Sequence, residues 1–291
     1  MRGRGERCDG FISEDSRSAF CSRENYAGNI DQPTRDGRLW RHWLLGDCRC
    51  GADHGYALRT VPRRGPAPPV TAQRSREQVL RIWRSGKPVP GSVHARYLRN
   101  RGLDPIRLPM ALRFAEKLAR WELSNRELLP AMIASVVRLT EPPGKRLVGV
   151  HRTYLSKDSS KAPGVSRKAL GTISQSCVPL GRPINGRIAV TEGIESALAV
   201  QQSSPIYCWA AISAPGIRSL VLTDDVTDVV IYAEPDPAGE AAAAAAAERW
   251  SEEGRVVRIA TSTEGDANDI LMRDGPLAVR ALLTGAKLYC G

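Results

Sequence analysis

Five acidic residues toward the carboxyl end of the chain have the types and spacing to do chemistry together: Glu192, Glu234, Asp236, Asp266 and Asp269. Each stands where a short apolar run gives way to a turn containing Gly or Pro. Glu192 follows 188–191 and precedes Gly193, Glu234 and Asp236 flank Pro235 after 228–233, and Asp266 and Asp269 follow Gly265, just beyond 255–260. Carboxylates gathered in one place disfavour each other's ionisation unless a cation intervenes. Hard oxygen donors in small number, with room for waters and phosphates, suit Mg²⁺ or Mn²⁺ better than zinc. The competing reading is that the acids cap helices, where carboxylates satisfy N–H groups and suit the dipole. For Glu195 and Glu240, inside predicted helices, a solvated role is the better reading. For Glu192, Glu234 and Asp236 the coincidence of strand end and tight turn favours a site.

The elements that must carry these acids are legible from the texture after residue 187. Predicted strands at 188–191, 206–212, 228–233 and 255–260 alternate with predicted helices at 194–201, 238–253 and 278–283, the middle one through seven consecutive alanines. Strands alternating with helices imply right-handed crossovers and a parallel sheet. Sites in such sheets lie at the carboxyl ends of the strands, so the acids should converge on one edge. Cys208, within a predicted strand, is expected to pack in the core.

Upstream, apolar spacing predicts a helix over 75–85 and another from about 92, stopped at Arg101-Gly102. The runs 131–137 and 147–154 predict a hairpin, with 143–145 in its turn. The segment up to 187 carries Lys157, Lys161, Arg167 and Lys168 and predicts a polar loop facing an anionic partner. Four prolines within 61–70 predict an extended linker. The expected organisation is therefore a Cys-rich module over 1–60, a linker over 61–72, a basic α+β domain over 73–187, and an α/β domain over 188–291.

Charge follows the same division. The chain has 291 residues with a net charge of +11, yet from 188 onward seven Lys/Arg face fifteen Asp/Glu, so the carboxyl part carries −8 and the rest +19. A basic surface beside an acidic site suggests a polyanion and a divalent cation, nucleic acid and metal being the first guess. No apolar run approaches the ~20 residues of a spanning helix, and the start lacks a secretory signal, so a cytoplasmic protein with no membrane partner is expected.

Val190-Thr-Glu-Gly-Ile-Glu-Ser-Ala197, Val230-Ile-Tyr-Ala-Glu-Pro-Asp-Pro-Ala-Gly239 and Gly265-Asp-Ala-Asn-Asp-Ile-Leu271 resemble the successive motifs of a Toprim domain, the fold shared by DnaG-type primases, topoisomerases and certain nucleases. Leu80-Arg-Ile-Trp83, Tyr97-Leu-Arg-Asn-Arg-Gly102 and Val150-His-Arg-Thr-Tyr-Leu155 are similar to elements of primase-like Toprim proteins of phages and mobile elements. The resemblance implies a Rossmann-like, four-stranded parallel sheet with flanking helices. It also implies acid/base work for Glu192, and Mg²⁺ or Mn²⁺ held by Glu234 and Asp236, with Asp266 and Asp269 completing the edge. Glu234 stands where the family usually has Asp. Template or nucleoside triphosphate would be held by Arg152, Lys161, Arg167 and Lys168; for each alone, ordinary surface charge reads equally well.

The activity implied is metal-dependent nucleotidyl transfer that makes primers on single-stranded DNA, with a separate replicative helicase as a possible partner. A Toprim nuclease and a catalytically impaired DNA-binding module are the alternatives. No Gly-x₄-Gly-Lys-Ser/Thr loop accompanies the motifs, so a fused helicase motor is not expected. Such primases commonly carry an amino-terminal zinc module, and residues 1–60 are poor in apolar groups. For that module two readings stand, a Zn²⁺ site or a metal-free relic. If zinc is held, Cys21, Cys48, Cys50 and His54 are the candidates, although Cys48-x-Cys50 departs from the usual knuckle spacing.

Overall fold

The computed structural model describes residues 10–12, 18–21, 40–43, 72–122 and 125–290. The chain divides into two compact units, 1–69 and 70–291. In the first, strands β1 (Gly10–Ile12), β2 (Ser18–Cys21) and β3 (Trp40–Trp43) form an antiparallel sheet in that order. Cys21 ends β2, while Cys48, Cys50 and His54 lie outside the described residues, as does the linker over 61–71.

The second unit opens with helices α1 (Ala72–Ser85) and α2 (Ser92–Asn100). Helix α2 ends where the sequence predicts, because Gly102 takes φ +67°, a left-handed conformation that glycine adopts without strain. An antiparallel sheet follows, in the order β4 (Leu112–Glu122), β5 (Asn125–Val137), β6 (Leu147–Tyr154) and β7 (Arg167–Gly171). Its central strand is buried on both faces. Ala131 and Ile133 pack under Val79 and Trp83 of α1, and the alternate residues Met132, Ala134 and Val136 join Leu98 of α2 on the other side. Pro130, which has no N–H to donate, sits where the β4–β5 register slips between Ala115 and Leu118.

The hairpin over 131–154 is as predicted, with a 3₁₀ turn at Pro143–Lys145. The predicted polar loop is not wholly one: β7 pairs antiparallel with β6, Arg152 opposite Lys168. Its side chains alternate between exposed and half-buried, as on an edge strand with one solvated face, and its cations hide that alternation in the sequence.

The remaining sheet has the order β13-β12-β11-β9-β10-β8. Strands β9 (Arg187–Thr191), β10 (Cys208–Ala210), β11 (Asp228–Ala233) and β12 (Val256–Thr261) are parallel, which gives the expected four-stranded parallel core. Short antiparallel strands, β8 (Val178–Pro179) and β13 (Lys287–Leu288), extend it at either side. Helices α3 (Ile194–Ser203), α6 (Ala267–Asp274) and α7 (Pro276–Thr284) cover one face. The other is covered by α4 (Ala214–Ser219) and the alanine-rich α5 (Pro237–Glu252), whose Ala242, Ala243, Ala246, Ala247 and Trp250 pack on Val229 and Ile231. Leu98, Leu112 and Met132 share one core with Leu198 and Leu271, so the basic and acidic parts are fused through an apolar interior.

Cys208 is fully buried as expected, its thiol beside Thr191 Oγ1 and pushed up to about 12 by burial. Among the described residues no helix is long and apolar enough to cross a membrane.

A candidate active site on the acidic edge

The chain leaves β9 toward β10 on one side and returns through β11 on the other, so the strand order reverses between β9 and β11. That switch point is where open α/β sheets place their ligands. Ile231 pairs with Val190, so β11 runs one residue beyond β9 and Glu192 and Glu234 follow the ends of neighbouring strands.

Local turns fix each acid. Thr191 Oγ1 donates to the Gly193 carbonyl at 3.0 Å, folding the chain sharply around Glu192, while Gly193 caps α3 without side-chain help. Glu192 is thus spared from capping. After β11, the Asp236 amide donates to the Glu234 carbonyl at 2.8 Å, and Asp236 Oδ1 accepts from the Gly239 amide at 2.7 Å to cap α5. A Cβ at Gly239 would come within 2.7 Å of the Glu234 carbonyl oxygen, so only glycine lets the helix start against that turn. Asp266 and Asp269 form a capping box on α6: Asp266 accepts from the Asn268 and Asp269 amides, and Asp269 accepts from the Asp266 amide at 3.2 Å. The capping reading therefore holds for Asp236, Asp266 and Asp269, and not for Glu192 or Glu234.

The electrostatics show that the acids converge. Burial, then Asp236, raise Glu192 above the usual carboxylate range, with Arg167 opposing. Glu234 is raised further, to about 7, by burial and by Glu192, Asp266 and Asp236, with Arg167 again opposing. Asp266, Asp269 and Glu234 also act together on the Tyr232 phenol. Four of the five acids thus feel one another at this edge, and the described cation countering Glu192 and Glu234 is Arg167. Such a donor set is short of positive charge and made of hard oxygens, and it fits a divalent ion of the Mg²⁺ type. Among the described residues no three His, Cys, Asp or Glu side chains stand as a ready-made metal cage. Mg²⁺ is ordinarily held by one or two carboxylates, waters and substrate phosphates, which asks for no such cage.

The cations divide into two groups. Arg152 donates to the Lys168 and Ala169 carbonyls of β7, at 3.3 and 3.1 Å, and to the Tyr154 hydroxyl, so its guanidinium braces the sheet. Lys168 lies beside it on β7. Arg167 instead faces the acidic edge, and both it and Lys161 reach Glu195.

Glu195 corrects the sequence reading. It is 3% exposed rather than solvated and accepts a hydrogen bond from Tyr97. Its partners are remote in sequence, so helical spacing carried no signal of them. Glu240 is exposed, as expected. Asn268 lies within the closing motif 265–271. It is fully buried and donates to the Arg101 carbonyl at 2.7 Å, tying α6 to the turn after α2. A cavity of about 450 Å³, lined by Leu103, Arg107, Gln201 and Tyr207, lies at the other end of α3 from Glu192.

Comparison with solved structures defines the class. The chain resembles the DnaG catalytic core at 19% identity, over 75% of this chain and 80% of that one, with a TM-score of 0.50. It resembles the DnaG primase catalytic domain bound to single-stranded DNA at 17% identity, over 75% and 81%, also with a TM-score of 0.50. At these identities the likeness establishes the fold, that of a DnaG-type primase core. Residues 73–180 match a domain of unknown function, DUF7146, and residues 187–276 match the Toprim domain. Residues 187–276 are accordingly a Toprim domain, within a chain that has the fold of a DnaG primase core. No curated protein matches it.

Proposed function

We propose that the protein makes primers on single-stranded DNA by metal-dependent nucleotidyl transfer. The observation that carries this reading is the mutual field of Glu192, Glu234 and Asp236 at the switch point of a Toprim sheet, within a fold shared with DnaG catalytic cores. Glu234 and Asp236, with Asp266 and Asp269 behind them, would hold Mg²⁺ or Mn²⁺, which when bound neutralises phosphate charge and favours in-line transfer.

The chain's own groups account for the rest. Half-buried and facing Asp236, Glu192 is a stronger base than an ordinary Glu once ionised, and it stands at the strand end to take the proton of a 3′-hydroxyl. Asp236 commits Oδ1 to the α5 cap, which locks its rotamer and aims the carboxylate. Arg167 and Lys161 would receive the triphosphate, and the net charge of +19 on residues 1–187 would attract the template backbone. The extra methylene of Glu234 relative to Asp lets its carboxylate reach further from the same strand end, a change that strict Mg²⁺ geometry makes consequential.

The test is a gel assay with labelled nucleoside triphosphates on a single-stranded template, with Mg²⁺ or Mn²⁺. Extension products are expected. Degradation of the template would instead favour a Toprim nuclease, and retention without product a DNA-binding module. A replicative helicase partner would show as stimulation of the extension.

A further inference from the structure

Glu195 opens α3 three residues after Glu192, and its burial needs an explanation that the acidic edge does not supply. A carboxylate taken out of water is costly unless it is paired and hydrogen-bonded. Here both conditions are met from the basic part of the chain. Tyr97 OH donates to Oε1 at 2.5 Å, Lys161 Nζ lies 3.6 Å from Oε1, and Arg167 lies 3.9 Å from Oε2. These contacts hold the carboxyl at about 2, well below the usual carboxylate range and against its burial.

The cluster is not balanced. Burial, and after it Arg167 and Arg101, lower the Lys161 ammonium against the pull of Glu195, and Arg101 Nε, at the end of α2, is buried without a hydrogen-bond partner. His151 is kept neutral by burial, with Nδ1 likewise unpartnered. Two cations thus pair with one carboxylate, and Arg101 adds a third positive charge behind Lys161. Arg167 is half-exposed at the end of a long contact and also faces Glu192 and Glu234, so it can turn to a ligand while Lys161 stays anchored.

We propose that Glu195 is a positioning residue, which tethers Lys161 and Arg167 beside the acidic edge in the orientation that receives a polyphosphate anion, the triphosphate of an incoming nucleotide. The inference rests on the functional reading above for the identity of the anion. A carboxylate with a purely structural role would need one matched cation, and would not leave a surplus of positive charge opening toward the acids.

The experiment is a double-mutant cycle on binding of ATP with Mg²⁺, read by equilibrium dialysis on the full chain. Glu195→Gln is expected to weaken ATP about tenfold, and by less than about threefold in a Lys161→Met background, because contacting residues that act together are not additive. Glu195→Gln/Lys161→Met removes both members of the buried pair and keeps the measurement available if Glu195→Gln alone does not fold. Affinity close to that of Lys161→Met supports the tether, and a further tenfold loss overturns it. Equal affinity of the wild type and a folded Glu195→Gln variant, or a wild type that does not bind ATP, also overturns it. Primer synthesis is read separately: a wild type that binds ATP through this cluster yet extends no primer supports the tether and contradicts the functional reading alone.

Discussion

Tyr97 donates its hydroxyl to Glu195 across 2.5 Å, joining a helix of the basic part to the first helix after the acidic edge, 98 positions later in the chain. With the bond from Asn268 to the Arg101 carbonyl, it ties α2 to two of the three helices that begin at acidic-edge turns, α3 and α6. The two parts thus share polar bonds as well as an apolar core, and their relative placement is fixed beside the acidic edge.

Removing charge from the acidic edge is expected to stop the chemistry without dissolving the fold. Glu192→Gln should lower primer synthesis by on the order of 10² or more, the usual contribution of a positioned acid or base. Asp236→Asn is the sharper variant, because Asn also caps helices well and α5 should survive while product is lost. Single-stranded DNA binding and thermal unfolding, measured alongside, should stay close to wild type.

Glu234, raised to about 7, should make cation binding depend on pH. Below that value a divalent ion must displace its proton, so affinity should climb from pH 5 to 7 and level off above. For the metal-free protein the sign is opposite. The folded state holds the proton more tightly than the unfolded chain, so this group's contribution to stability is present below pH 4.5 and lost as pH rises through 7. Mn²⁺ titrations at several pH values check the first, and melting temperatures with and without Mg²⁺ the second.

His151 and Glu195 predict acid sensitivity. His151 falls from 6.5 to about 4 through burial, and Glu195 lies at about 2 despite burial because of Lys161, Arg167 and Tyr97. Both are depressed in the folded state, so their stabilisation is full above pH 6.5 and is lost as pH falls, first through His151 and then through Glu195. In His151→Gln the melting temperature should change less between pH 6.5 and 4 than in the wild type.

Asn268→Ala should destabilise by about 1–3 kcal/mol, since it leaves the Arg101 carbonyl without its buried partner. Denaturant unfolding measures this. An unchanged midpoint would mean that the tie between α6 and α2 is not needed for stability.

Much of the acidic edge was readable from the chain because strand ends and tight turns are local signals: an apolar run, then an acid beside Gly or Pro, three times over. The same locality misled for Glu195, whose neighbours Tyr97, Lys161 and Arg167 are brought in by tertiary packing alone. Strand β4 had no legible period, because the slip between Ala115 and Leu118 breaks its alternation. For β7 the exposed face is occupied by cations, which read as loop. Helix α6 was hidden in the closing motif, where Asp266 and Asp269 cap it although no apolar period announces a helix there.

The central claim is that Glu234 and Asp236 together hold a divalent cation beside Glu192. Electron paramagnetic resonance of Mn²⁺ titrated into the purified protein tests it most directly, with the wild type compared against Glu234→Gln and Asp236→Asn. Saturable Mn²⁺ binding that weakens at least tenfold in both folded variants is the predicted result; equal binding in all three proteins, or none in the wild type, would contradict it.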